Sequence, residues 1–166
     1  MINYGESYMN FTWSDYKTEH AALVDSWLDD TAVRMTGIED GFDEEWRATL
    51  DEAKNFPGCK DFCKIVSENG VPFAAVKYGF YQNKATVSVI IVDPAQRGKG
   101  RGSAVLRELV ANTNTLVGEK VDKFDAVIFP SNAASQKAFE KAGFVFDYAH
   151  EDGDALYYTF KVTENE

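Results

Sequence analysis

Thiols and imidazoles are scarce in this chain: Cys59, Cys63, His20 and His150 are all that its 166 residues contain. The cysteines lie four apart and both histidines are far from them in sequence. That set is too small and too scattered for a metal centre, so no metal is expected, and the cysteines read as reduced thiols of a cytosolic protein. Long apolar runs are also missing. Nothing approaches the roughly 20 residues of a membrane span, and residues 1–6, Met-Ile-Asn-Tyr-Gly-Glu, lack the basic and apolar regions of a signal peptide. A cytoplasmic protein with no membrane partner is expected. There is no excess of positive charge either. The net charge is -10, which argues against nucleic acid as a partner. Repeats, low-complexity tracts and Pro/Gly-rich linkers are absent, so residues 1–166 read as a single domain, long enough to bury a sizeable core.

What the chain does have is apolar and aromatic content, 45% and 14%, enough for a globular fold. Its charge is unevenly placed. Residues 1–56 carry a net -9, residues 57–141 a net +4 and residues 142–166 a net -5. The acidic flanks read as solvated faces that maintain solubility, and the basic middle as the place where an anion would bind.

That middle contains the most specific pattern. An apolar run, Val87-Ser88-Val89-Ile90-Ile91-Val92, meets Asp93-Pro94 and then Gln96-Arg97-Gly98-Lys99-Gly100-Arg101-Gly102-Ser103. Val105, Leu106, Leu109 and Val110 follow at helical spacing, with Arg107 and Glu108 expected on the opposite, solvent side. Strand, glycine loop and helix start are thus read in order. Glycine lets backbone N–H groups lie close to a ligand, and a helix N-terminus favours negative charge. With three cations at the same spot, a diphosphate is the ligand that fits. A Walker loop is excluded, because Gly102-Ser103 has no lysine between. The dinucleotide fingerprint is excluded because the sixth position from Gly98 is Ser103.

The stretch resembles motif A of the GNAT superfamily of N-acetyltransferases, Arg/Gln-x-x-Gly-x-Gly/Ala after a strand ending Val-x-Pro. Downstream, Asn132-Ala133-Ala134-Ser135 and the run to Gly143-Phe144 resemble the family's motif B. The resemblance implies an α/β (α+β) fold with a mixed, mostly antiparallel central sheet flanked by helices and splayed where a cofactor's pantetheine arm enters. It implies acetyl-coenzyme A as co-substrate, without a metal, and direct transfer of its acetyl group to a primary amine. It assigns the cofactor to Ile91, Val92, Arg97, Gly98, Lys99, Gly100, Arg101, Gly102 and Ser103, with Asn132 and Ser135 on the pantetheine side. Asn132 also reads as a simple helix cap, and the two roles can coexist.

Residues 8–13 alternate like a first strand. Ser14 or Asp15 caps a helix to Leu28, with Ala22, Leu23, Trp27 and Leu28 as its stripe and Asp29-Asp30 as its stop. A second helix runs from Asp43 to Asn55 and carries Trp46, Leu50 and Ala53. Strands at 62–67 and 72–80 are joined through Asn69-Gly70, a hairpin signal. A turn at 82–84 leads into the motif A strand. A strand at 124–129, the motif B helix and a closing hairpin of 144–150 with 155–162 complete the chain.

The proton carriers are less legible. In many relatives a tyrosine protonates the leaving thiolate, and Phe139 stands at that position here. The motif A strand offers Ser88 and no carboxylate. Tyr148 and His150 are taken as the catalytic candidates, beside Asp147, Glu151, Tyr78 and Tyr81; His150 has the most suitable ordinary pKa. The acidic first helices suggest a cationic acceptor, drawn by Asp25, Asp29, Asp30, Glu39, Asp40 and Glu44, with Trp27 and Trp46 as aromatic faces. A protein acceptor, either an N-terminus or a lysine, a silent acyl-coenzyme A binder, and assembly as a homodimer stay open.

Overall fold

A computed structural model describes residues 9–162 of the chain. Its strands are β1 (Thr12–Asp15), β2 (Lys60–Glu68), β3 (Val71–Tyr81), β4 (Lys84–Val92), β5 (Lys123–Ile128), β6 (Val145–Ala149) and β7 (Leu156–Lys161). Its helices are α1 (Ala21–Trp27), α2 (Asp30–Thr36), α3 (Phe42–Ala53), α4 (Arg101–Ala111), α5 (Thr113–Leu116) and α6 (Ala133–Lys141), with 3₁₀ turns at Thr18–His20 and Pro94–Gln96.

Two tight turns set the central hairpins. Asn69 and Gly70 (φ 51° and 79°) join β2 to β3, and Gln82 and Asn83 (φ 48° and 64°) join β3 to β4. Paired left-handed residues match the right-handed twist of the flanking strands. The sheet order is β1-β2-β3-β4-β5-β7-β6, with every neighbouring pair antiparallel except β4 and β5, which run parallel. This is the mixed, helix-flanked sheet that the resemblance implies.

The decisive feature is where β4 and β5 separate. They pair only from Lys84–Lys123 to Val87–Ala126, while β4 continues to Val92 and β5 to Ile128. At the same level the β3–β4 register jumps from Lys77↔Val89 to Tyr78↔Val87, leaving Ser88 unopposed as a bulge. A bulge bends and twists its strand, so β4 leans away from β5 and the sheet forks.

Each face of the sheet buries its own cluster. Val105, Leu106 and Leu109 of α4 and Phe139 of α6 pack with Val76, Tyr78 and Phe124 on one face. Val24 and Trp27 of α1 and Phe42 of α3 pack with Ile65, Ala75 and Ile91 on the other. Removing each such large side chain from water contributes about 1.5–3 kcal/mol.

Several expectations are corrected. Ser14 and Asp15 pair with Ile65 and Lys64 as the end of β1, so the first helix starts at Ala21 instead. Strand pairing outweighs their capping tendency. Val24 and Trp27 are buried there, while Leu23 is exposed. Asp29 does not merely stop a helix: its carboxylate accepts the N–H of Ala32 at 2.8 Å and starts α2, a helix the sequence reading lacks. On α3 the buried anchor is Phe42, and Leu50 is exposed. Glu108 is 6% exposed, not on the solvent side. Tyr8 and residues 1–6 lie outside the described residues.

Both cysteines are free thiols. Burial within β2 pushes the Cys63 thiol up to about 12 from its ordinary 9.0. Burial likewise raises Tyr16, helped by the carboxylate of Asp43, and Tyr78. A group whose folded pKa is raised contributes stability below its unfolded pKa and loses it as pH climbs toward the folded value. The thermal midpoint should therefore fall as pH rises from about 9 toward 12. At neutral pH a thiol reagent should label Cys59 and spare Cys63. Equal labelling of both in the native protein would contradict the burial.

Candidate active site

The glycine loop begins where β4 ends. Asp93 Oδ1 accepts the N–H of Ala95 at 3.0 Å and caps the short turn at Pro94. Arg97 is extended, and Gly98 and Gly100 then each take φ 74°. This left-handed backbone is open to glycine at little cost, and its alternation turns successive N–H groups inward as an anion nest. Gly100 is also the N-cap of α4 and has no side-chain cap. Among the described residues, none of the N–H groups from Gly98 to Ser103 has an acceptor. A run of open amides at a helix start is a site for phosphate groups.

Side-chain charge contributes less to this cradle than the sequence suggests. The guanidinium of Arg97 donates to Val92 O at 3.1 Å, to Trp27 O at 3.0 Å and to Asp29 Oδ2 at 2.7 Å. It ties the loop to the α1–α2 junction. Arg101 is held by both carboxylate oxygens of Glu68, at 2.5 and 3.2 Å, and lies 5.0 Å over the ring of Phe73. Lys99 is exposed and makes no ion pair among the described residues.

The fork opens into a cavity of about 640 Å³, walled by β4 from Val87 to Val92, β5 from Val127, the loop, α6 and one side of α2. Ile91, Val92, Arg97, Gly98, Gly100, Arg101, Gly102, Ser103, Asn132 and Ser135 all line it; Lys99 does not. Beyond Val87 the edge of β4 facing β5 has no strand partner among the described residues, so its amides are available to a ligand. Asn132 caps α6, its Oδ1 accepting the N–H of Ser135 at 3.1 Å, which leaves its amide NH₂ free to donate into the cavity. Phe139 is buried against Phe144, ring to ring at 4.9 Å, and offers no proton.

The structure does not bring Tyr148 and His150 to this cavity. Tyr148 stacks on Tyr157 at 4.4 Å on the edge strand β6, two strands beyond β5. His150 follows β6, its Nδ1 at 3.7 and 3.2 Å from Asp152 and Asp154 in an exposed turn. Tyr78 is fully buried and donates to Leu116 O. Nor do the six acidic candidates line the cavity. Asp25 accepts the N–H of Phe42 at 2.9 Å; Asp29 holds Ala32 and Arg97. Trp27 is a core residue.

Two charged groups that the sequence reading did not single out for the site are present instead. Lys77 Nζ lies 2.5 Å from Glu45 Oε1 and 2.9 Å from Thr49 Oγ1, and both charged residues line the cavity. Lys77 is 6% exposed. Its signal was a lone lysine within the apolar run Phe73-Ala74-Ala75-Val76-Lys77-Tyr78. A second cavity of about 240 Å³ lies under the end of α3 and includes Thr49, Glu52, Asp61 and Tyr81. Ser88 borders both cavities.

The aminoglycoside acetyltransferase AAC(6')-Ib, solved with ribostamycin and coenzyme A, has a similar fold (TM-score 0.71, 19% identity, 92% of this chain and 94% of that one). So do the spermidine N-acetyltransferase of Vibrio cholerae solved with coenzyme A and spermine (0.69, 12%, 92% and 96%) and the Campylobacter jejuni N-acetyltransferase PseH (0.64, 14%, 93% and 100%). No curated protein matches the chain significantly. A family model described as the acetyltransferase (GNAT) family matches residues 11–144, a span that holds the forked strands, the amide loop and α6 together. With that match over most of its length, the chain belongs to the acetyltransferase (GNAT) family.

Proposed function

We propose that the protein transfers an acetyl group from acetyl-coenzyme A to a primary amine of a cationic small molecule, by direct attack and without a metal. The observation that carries the reading is the run of acceptor-free amides from Gly98 to Ser103 at the mouth of the forked sheet. These amides would hold the diphosphate. The NH₂ of Asn132 and the open edge of β4 would hold the amide-bearing arm that follows. The cofactor, when bound, supplies an acyl group already activated as a thioester.

The residues of the chain then divide the work. A β4 amide near the bulge, preorganised and without a strand partner, donates to the carbonyl oxygen as it gains charge; one such donor is worth about 2.7–4 kcal/mol. Phe139 and the apolar residues of β4 and β5 would give the acyl end of the cofactor an apolar lining. No side chain need protonate the leaving sulfur, because a thiol of pKa about 8.5 departs tolerably as thiolate near neutral pH.

The cationic acceptor is supported by the acidity of the chain and by the amines named for proteins of similar fold, aminoglycosides and spermine. No helix among the described residues is long and apolar enough to cross a membrane, and we place the reaction in the cytoplasm.

Thiol release from acetyl-coenzyme A, measured with aminoglycosides, polyamines, amino acids and short peptides in turn, tests the reading. Release is expected with the cationic amines. Release with peptides alone would make the acceptor a protein, and release with nothing despite coenzyme binding would leave an acyl-coenzyme A binder.

A further inference from the structure

We propose that Glu45 is the catalytic base, binding the acceptor's ammonium and holding one of its protons during attack. The inference rests on the acetyltransferase reading above and assigns a residue to the step that reading leaves open.

Among the described residues lining the main cavity, Glu45 is the one carboxylate; the other charged groups there are Lys77, Arg97, Arg101, Lys137 and Lys141. An acceptor amine with a pKa near 10 arrives as an ammonium and needs an anionic acceptor within hydrogen-bond reach. Glu45 is held for that task. Lys77 occupies Oε1 at 2.5 Å, and Lys77 is fixed in turn by Thr49. Oε2 has no partner among the described residues, and the side chain is 36% exposed. Lys77 sits opposite Val89 in the strand register, one residue past the Ser88 bulge where the sheet forks. The base therefore stands beside the point at which the open β4 amides begin.

The second cavity gives the approach. Ser88 borders both cavities, and Thr49, one turn along α3 from Glu45, lines the second. An amine held on this side would approach Glu45 from the face of the sheet opposite α4. Other charged or titratable groups near the pair are Asp61 and Cys63 on β2, both within the field of Lys77, and Glu52 on α3, which acts on Asp61.

The step balances without an external reactant. Glu45 Oε2 takes one proton from the ammonium. The nitrogen then bonds to the thioester carbon and the C–S bond breaks, with its electron pair leaving on sulfur. The second proton lost by nitrogen passes to the thiolate, directly or through water, and Glu45 releases its proton to solvent.

The test compares wild type, Glu45→Gln and Glu45→Asp with spermidine and kanamycin as the probe amines. Gln preserves the shape of the side chain and an oxygen for Lys77, so the fold and coenzyme affinity, checked by thermal denaturation and calorimetry, should be retained. In Glu45→Gln, kcat should fall about 100-fold or more. Its pH dependence should also change in kind. With a base that accepts the proton, kcat/KM is level across neutral pH; with Gln only free amine reacts, and kcat/KM rises about tenfold per pH unit up to the amine's pKa. Glu45→Asp should keep the level profile at a lower kcat. An unchanged kcat and profile in Glu45→Gln would overturn the inference, as would a wild type that binds coenzyme A yet releases no thiol with either amine at millimolar concentration. A wild type that does not bind coenzyme A would instead overturn the acetyltransferase reading itself.

Discussion

Replacing Gly100 by valine should weaken coenzyme A binding by on the order of 100-fold or more while the fold persists. Gly100 has φ 74°, and a Cβ built on it would meet nothing nearer than Ser103 Oγ at 3.9 Å. The cost is thus conformational, about 1–2 kcal/mol for an L-residue in left-handed backbone. That is a small part of a domain's stability. The chain relieves it by turning φ negative, which swings the N–H groups of Gly100 and Arg101 out of the nest. Two hydrogen bonds to an anion, at about 1.5–3 kcal/mol each, are then lost. Calorimetric titration with coenzyme A checks this, beside a melting curve as control. An affinity within about threefold of wild type would mean that the amides do not carry the diphosphate. Gly102 is a different case: it is helical, and its added Cβ would sit 3.6 Å from Ala138 Cβ. A bulky residue there would press α4 away from α6.

Glu108→Ala should destabilise the fold strongly although the change lies away from the site. This carboxylate on α4 accepts the N–H of Asn10 at 3.0 Å, that of Phe11 at 3.2 Å and the indole N–H of Trp13 at 3.0 Å. It thereby fastens the start of the described chain and β1 to a helix on the far side of the sequence. Alanine leaves three partly buried donors without an acceptor, at about 1–3 kcal/mol each where water cannot replace it. Allowing for partial solvation, a loss of about 3 kcal/mol and a fall in melting temperature on the order of 10 °C follow for a chain of this length. Glu108→Gln, which keeps one acceptor oxygen, should lose less. A melting temperature unchanged in the alanine variant would show that β1 is not held through this group.

Glu108 also marks the limit of what helical periodicity can read. The spacing of Val105, Leu106 and Leu109 identified α4 and its buried face correctly, but charge alone placed Glu108 in water. Its partners lie more than 90 residues away in the chain, and no local pattern encodes them. Local signals with a backbone cause were legible: Asn69-Gly70 as a hairpin turn, the Gly98–Gly102 loop and the Asn132 cap all rest on φ preferences or on contacts a few residues away. The splayed sheet came from the family resemblance. The Ser88 bulge beside it came from neither source, because a register shift between β3 and β4 leaves no trace in the composition of either strand.

The same division applies to the site. The loop and α6 residues that line the cavity were readable because they belong to contiguous motifs. Arg97 and Arg101 line the cavity as their place beside the glycine loop suggests, but their ion pairs with Asp29 and Glu68 join residues 68 and 33 positions apart, which no local pattern encodes. Glu45 was passed over beside Glu44, since one residue of rotation on α3 decides which carboxylate meets Lys77. Tyr148 and His150 have suitable chemistry, but the strand order puts β6 and the turn after it at the edge of the sheet, two strands beyond β5.

The most direct test of the central claim is titration of ¹⁵N-labelled protein with coenzyme A, followed through its amide resonances. The largest shifts are expected at the N–H groups of Gly98 to Ser103, with a second group along β4 beyond Ser88 and at Asn132, and little change at His150 to Asp154. Saturation with coenzyme A that left the loop amides unmoved, or moved only residues away from the fork, would contradict that claim.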